Sequence, residues 1–453
     1  MDNNQSVKAS GRTVAVIAMF FLFAMISFVT NLAAPIGTIW QGNYSWAGMV
    51  GNFMNFFAYL IMGIPAGNML VRIGYKKTAL WAMATGVVGI FLQYLSSVTG
   101  AETAVFHIDG APVMLNFLIY LFGAFVSGFC VCMLNTVVNP MLNILGGGGN
   151  RGNQLIQLGG SLNSLTGTLT PLFVGMLIGT VTPRTSMTDV TPLLWIAMGV
   201  FVMAFVVISF VRIPEPNLNR KGEHRIRYSH SPWNFRHTVL GVIGIFFYVG
   251  IEVGIPGVLI FYLSDSAISG ITENATAVAG AVAAVYWLLM LVGRLSSSVI
   301  SGRVSSRTQL IVVSSIAIVL VIFAILIPSS IRVSMPAYSV ENGFSMAQVP
   351  VSALLLVLCG LCTSIMWGGI FNLAVEGLGK YTAQASGIFM MMVVGGGVMP
   401  LVQNFIATSY GYMTSYWLVV AMLGYLLYYA LAGSRNVNKD IPVEEEEEIP
   451  DAL

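Results

Sequence analysis

One carboxylate lies deep inside an apolar run of this chain: Glu252, in Phe246-Phe247-Tyr248-Val249-Gly250-Ile251-Glu252-Val253-Gly254-Ile255-Pro256. Even on lenient insertion scales an Asp, Lys or Arg at the centre of a membrane helix costs about 2.5–3.5 kcal/mol, so an acid kept there reads by default as functional. Other apolar runs carry neutral polar and aromatic side chains: Asn31; Asn52, Asn55 and Tyr59; Asn135 and Asn139; Gln154, Gln157 and Asn163. The later runs add Tyr248, Tyr262, Tyr286, Trp287, Trp367 and Asn372. Singly, each amide fits interhelical hydrogen bonding and each Trp fits packing. As a set, amide donors and acceptors beside indole and phenol faces suit a ligand with many hydroxyls and an apolar ring face. That is the chemistry of a sugar.

Catalytic constellations are missing from the same runs. His107 lies in a loop, and His224, His230 and His237 lie in or beside a polar stretch at mid-chain. There is no His-Glu-x-x-His, phosphate-cradling glycine loop or nucleophile elbow. Gly146 to Gly149 is not followed by Lys-Ser/Thr and reads as a flexible turn. Cys130-x-Cys132 and Cys359-x-x-Cys362 have metal-like spacing, but both pairs sit among Phe, Val, Leu and Gly and read as small buried thiols. The expectation is therefore no enzyme, no metal, no cofactor and no disulfide framework.

The elements that hold these residues follow from composition. The 453 residues are 56% hydrophobic and only 8% charged, against about 25% charged in ordinary soluble domains. About 20 apolar residues at about 1.5 Å each cross a hydrocarbon core of about 30 Å. Twelve runs qualify: 13–40, 46–71, 78–98, 112–145, 153–181, 192–212, 236–264, 275–301, 309–329, 349–377, 383–408 and 413–434. The expected fold is an all-α membrane protein of twelve transmembrane helices. Span 1 is read as retained, because no small-residue cleavage site follows a short apolar core.

With both termini on the cytoplasmic side, alternate loops place 18 of the 20 Lys and Arg on that side, and only Arg184 and Arg332 outside. Lys/Arg bias in short loops sets orientation, so a multi-pass protein of the inner (cytoplasmic) membrane is expected. The net charge of +2 gives nucleic acid no foothold. The acidic run Glu444 to Glu448 reads as a solvated, disordered tail.

The longest polar stretch, Pro214 to Phe235, divides the spans six and six. Residues 1–213 and 236–434 are the expected halves, 214–235 a cytoplasmic linker and 435–453 the tail. Internal repeats support the division. Pro171 and Pro400 are 229 residues apart, and the same offset carries Cys130 to Cys359. The basic loop after span 2, with Gly67, Arg72, Gly74 and Lys76, recurs loosely after span 8 as Gly293-Arg294 through Gly302-Arg303 and Arg307.

Two homologous six-helix halves with a basic linker resemble the major facilitator arrangement. The 2–3 loop is similar to that superfamily's G-x-x-x-D-R-x-G-R-K signature, with Val71 in place of its usual Asp. Further motifs narrow the resemblance: Phe20 to Phe23 with Pro35, Ile64-Pro65-Ala66-Gly67, Leu134-Asn135-Thr136-Val137-Val138-Asn139-Pro140, Asn163-Ser164, Phe247-Tyr248-Val249-Gly250, Phe371-Asn372-Leu373-Ala374 and Val394 to Gly397. Together they resemble the fucose–galactose–glucose:proton symporters, across nearly all spans. In the fucose branch the acids tied to sugar binding and proton coupling stand where this chain has Asn31 and Asn135, and amides cannot carry a proton. Asn52 and Tyr59 match family positions expected to contact sugar, and Glu252 stands where the fucose branch has Gln.

The resemblance implies a carrier that imports a neutral monosaccharide (hexose, deoxyhexose or N-acetylhexosamine) by alternating access, as a monomer. The expected substrate contacts are Asn31, Asn52, Tyr59, Asn135, Asn139, Gln157, Asn163, Tyr248, Glu252, Trp287, Trp367 and Asn372, with Gly67, Arg72, Gly74 and Lys76 as the gating loop. Glu252 has three open readings: a proton site, part of a Na⁺ site, or a hydrogen-bonding group in an uncoupled carrier. A carrier of another solute, such as a peptidoglycan fragment or a drug, and a transport-dead sugar sensor are the alternatives.

Overall fold

In lipid a chain can satisfy its N–H and C=O groups only within the crossing segment, so the apolar runs fold as helices. A computed structural model describes residues 9–44, 47, 50–108, 111–178, 185–215, 230–271, 275–339, 343–438 and 440–443. Arg184, linker residues Arg220, Lys221, Arg225 and Arg227, and the acidic run from Glu444 lie outside them.

Among the described residues, ten helical segments are long and apolar enough to cross a bilayer. One of these, Val50–Val98, is two spans, because Gly74 breaks the helix with φ 85° and ψ 173°, a conformation that glycine tolerates for want of a Cβ. The amide-bearing helix Gly149–Ile178 completes twelve. Span 1 is Ala9–Asn43, spans 2 and 3 flank Gly74, span 4 is Leu115–Gly146, span 5 Gly149–Ile178 and span 6 Thr191–Phe210. Span 7 is Arg236–Ser264, span 8 Ala275–Ile300, span 9 Ser306–Leu326 and span 12 Tyr412–Tyr428. Two spans are interrupted: span 10 as Val351–Thr363 and Met366–Val375, and span 11 as Thr382–Met391 and Gly395–Tyr410 around a 3₁₀ turn.

The repeat seen in sequence has a structural counterpart. An antiparallel hairpin, Ala104–Ile108 with Ala111–Met114, precedes span 4, and a longer one, Arg332–Ser339 with Gly343–Pro350, precedes span 10. By the span bounds read from sequence, most of each hairpin lies in a loop and its last residues, 112–114 and 349–350, open spans 4 and 10. The two-fold relation is also visible in a single bond: Asn143 Nδ2 donates to Asn372 Oδ1 at 3.0 Å, between residues 229 apart. A residue can touch its own repeat mate only close to the axis relating the halves.

Small residues let the halves approach. Gly63 and Gly67 of span 2 lie against Gly387 of span 11, so that a Cβ on Gly387 would stand 2.5 Å from the Gly63 carbonyl oxygen and 2.8 Å from the Gly67 Cα. Such glycine contacts are the usual device where lipid supplies no hydrophobic drive between helices. Gly67 therefore belongs to a helix crossing, and the chain turns at Gly74. There Glu215, just past span 6, accepts from Tyr75 N at 2.7 Å and Lys76 N at 2.9 Å. Its carboxylate caps the otherwise unpaired first amides of span 3. Lys76 Nζ in turn donates to the Ser209 carbonyl at 2.7 Å.

Two predictions follow from these contacts. Gly387→Val overpacks the crossing and should lower stability by about 1–3 kcal/mol, read as a fall in Tm of the detergent-solubilised protein; an unchanged Tm contradicts this packing. Glu215→Ala should cost roughly 1 kcal/mol as a lost cap. Partial burial pushes the Glu215 carboxyl above its ordinary range, outweighing the amides that favour its charge. A raised acid adds stability below its unfolded pKa, lost as pH rises through the folded value. The stability difference between Glu215→Gln and the parent should thus vary with pH only from the ordinary Glu range up to the raised value.

Candidate functional site

Span 7 places Glu252 one helical turn before Pro256. Pro256 has no N–H, so the carbonyl four residues before it, that of Glu252, loses its helical partner. The Glu252 side chain faces a cavity of about 180 Å³ at the meeting of the two halves. Ser27 and Asn31 of span 1 and Tyr59 of span 2 line it on one side, with Asn135 of span 4 and Gln157, Asn163 and Ser164 of span 5. Glu252, Trp287, Arg294 and Trp367 line it from the other half.

Arg294 is the residue that sequence reading misplaced. Grouped with the basic loop after span 8, it belongs instead to the interior of that helix, where its side chain is 7% exposed. Its Nη2 donates to Glu252 Oε1 at 2.9 Å. The orientation count that set Arg294 in a cytoplasmic loop is corrected accordingly, and Glu252 is not the one charged group of the cavity. The missed signal was position: Arg294 stands six residues before the end of the apolar run that closes at Ile300. A cation there needs an anion, and Glu252 is the available one.

The other donors of Arg294 reach backbone and hydroxyl groups. Nη1 donates to the Gly160 carbonyl at 2.9 Å and Ser164 Oγ at 2.8 Å, both on span 5. Nε donates to the Ser364 carbonyl at 3.2 Å, at the break in span 10. The same break offers the Ile365 carbonyl, which accepts from Gln157 Nε2 at 2.9 Å. Irregular backbone at membrane depth is tolerated where it lines a cavity and finds partners. A guanidinium, with five donors in a rigid fork, suits this divergent set of acceptors.

Two indoles form walls. Trp367 packs on Tyr248, with ring centroids 6.1 Å apart, and its Nε1 donates to Asn139 Oδ1 at 3.0 Å. Trp287 meets Tyr286 edge-on at 5.6 Å, and the Tyr286 hydroxyl is 2.9 Å from Thr363 Oγ1. On the facing half, Asn135 Nδ2 donates to Tyr59 Oη at 2.9 Å, and Asn31 Nδ2 to the Ser27 carbonyl at 2.8 Å. Indole faces opposite amides and hydroxyls are what a polyhydroxylated ring requires.

Eight of the twelve expected contacts therefore line one cavity, with Arg294 added. Four stand elsewhere. Asn139 is fully buried, bonding the Asn135 carbonyl at 2.9 Å while orienting Trp367. Tyr248 lies behind the lining, its buried phenol beside the Glu252 carboxylate and the Arg294 guanidinium. Asn372 ties Asn143 to Ser306 Oγ, 3.0 Å away, on the linker side. Asn52 is half-buried on span 2, away from the cavity lining.

The Trp367–Asn139 bond crosses between the halves. Trp367→Phe leaves a buried Asn oxygen unpaired and should cost about 1–3 kcal/mol. A double-mutant cycle with Asn139→Ala should be non-additive in Tm; additive losses would show that the bond carries no energy.

The sequence pattern of the Major Facilitator Superfamily matches residues 15–399. The chain is 29% identical over 434 residues to the glucose/galactose transporter of Brucella abortus, covering 92% of this chain and 93% of that one. It is 23% identical over 449 residues to the L-fucose-proton symporter of Escherichia coli, covering 92% of each. The crystal structure of the E. coli fucose:proton symporter FucP superposes with a TM-score of 0.73 at 19% identity, over 92% of this chain and 97% of that one. With twelve spans in two repeated halves and a family match over most of its length, the chain belongs to the Major Facilitator Superfamily.

Proposed function

We propose that this protein carries a neutral monosaccharide across the inner membrane by alternating access, the two halves rocking about the cavity that holds Glu252 and Arg294. The observation that carries this reading is the cavity's composition. Amides from spans 1, 4 and 5 face two indole walls, and the only charges lining it, among the described residues, are a mutually neutralised pair. A net-charged solute finds no uncompensated counter-charge there, and a wholly apolar one leaves the amides unpaired. The curated relatives, named for glucose, galactose and fucose, point to hexoses and deoxyhexoses.

Coupling turns on the ion pair. Asn31 and Asn135 do not titrate, which leaves Glu252 as the acid able to carry a proton through the cavity. A Na⁺ ion at Glu252 would sit beside the Arg294 guanidinium, and like charges at such range repel strongly. Proton coupling is thus the first reading, with the proton and Arg294 competing for one carboxylate. An uncoupled carrier is the second, favoured by the same pair, because a carboxylate already neutralised by Arg294 binds sugar hydroxyls without a proton.

Uptake of labelled monosaccharides into proteoliposomes, under a proton gradient, a Na⁺ gradient or neither, tests both readings. The proton reading expects accumulation above equilibrium only with the proton gradient, and its loss in Glu252→Gln with equilibrating uptake retained. Equilibrating uptake under every condition selects the uncoupled carrier. Transport of no monosaccharide by protein that remains folded overturns the substrate assignment.

A further inference from the structure

Several hydrogen bonds tie the two halves on the side of the cavity toward the linker and the basic loops. Asn143 meets Asn372 there, Asn153 Nδ2 donates to Ser301 Oγ at 3.2 Å, and Gln157 meets the Ile365 carbonyl. Arg294 is at once one of these ties and a wall of the cavity, as is Trp367 through its bond to Asn139. One guanidinium nitrogen holds span 5 of the first half through Gly160 and Ser164, and the other holds Glu252 of the second. The Arg294 side chain runs along Gly160, where a Cβ would meet its Cδ at ordinary contact distance, 3.4 Å.

We propose that Arg294 is a latch between cavity and seam: while Glu252 holds its Nη2, its Nη1 is aimed at span 5 and the linker side stays shut, and neutralising or occupying the carboxylate releases that side to open. The physical basis is that one rigid fork serves both contacts. A planar guanidinium cannot turn toward a new partner without moving its second nitrogen. The phenols of Tyr248 and Tyr286 are the other titratable groups that act electrostatically on Glu252, and neither carries charge when protonated. The charge on Glu252 is thus what fixes the fork. Arg294 is on this account a positioning residue that acts through span 5. The proposal rests on the reading of the cavity as the transport site, but not on which solute fills it.

A spin-label pair at Ile144 and Arg303, both exposed on the linker side of opposite halves, reads the seam directly in the full-length protein without added sugar. The four native cysteines are buried, so the label goes to the introduced pair. The parent protein should show a dominant short distance. Glu252→Gln keeps shape but removes charge, and should raise the long-distance, linker-side-open population about tenfold, the scale of one lost charge-assisted hydrogen bond. Arg294→Lys keeps charge but loses the fork and should do the same; Ser164→Ala, which alters no charge, should shift it less in the same direction. If Arg294→Lys does not fold, Ser164→Ala carries that arm. A parental distance distribution in folded Glu252→Gln, or in both of the other variants, overturns the latch. Because no sugar is present, absence of sugar uptake with these shifts intact overturns the substrate reading alone, and uptake with unmoved distances overturns the latch alone.

Discussion

The ion pair between Glu252 and Arg294 is the constraint to which the rest of the site answers. Two opposite charges at membrane depth hold together only with good geometry and with their remaining hydrogen-bonding capacity filled, and removing one partner of such a pair costs roughly 3–5 kcal/mol. The fold supplies what is needed. The interruption of span 10 delivers the Ser364 carbonyl, and span 5 offers the Gly160 carbonyl and the Ser164 hydroxyl. A helix break and freed backbone carbonyls are the means by which a charged centre is kept in an apolar bundle.

Around that centre the repeat gives the molecule its economy of design. Each half contributes a glycine-containing face to the crossing of spans 2 and 11 and an asparagine to the Asn143–Asn372 bond on the pseudo-two-fold axis. The two halves are nonetheless specialised. The first lines the cavity with neutral amides, and the second brings both charges and both indoles. Symmetry builds the scaffold, and departures from it build the site.

Much of this was legible in the chain itself. The twelve spans, the division into halves and the 229-residue offset follow from hydropathy and a few marked residues, because lipid leaves the backbone so little choice. Glu252 was visible as an acid in the wrong solvent. Arg294 was equally visible but was absorbed into a loop, because its sequence neighbourhood echoes the basic loop after span 2 and a helix end cannot be fixed from composition. The amides divided for a similar reason. Asn135 and Asn139 are one helical turn apart on span 4, yet one reaches the cavity and the other is buried behind it holding Trp367. The hairpin before span 4 has short, mostly exposed strands that leave no period-two signal, whereas the eight-residue strand Arg332–Ser339 buries Met335 and Ala337 on alternate positions, a signal present in the chain.

The sequence by itself determined the membrane class, the number of spans, the two-fold repeat and the presence of a buried acid among sugar-compatible side chains. These are properties of local composition and spacing, and a bilayer reads them one segment at a time. Only the tertiary structure decided which polar residues share a cavity, that Glu252 is paired, and that its partner also holds the opposite half. Those facts depend on the rotation and depth of each helix against its neighbours, which the side chains of the whole bundle set together.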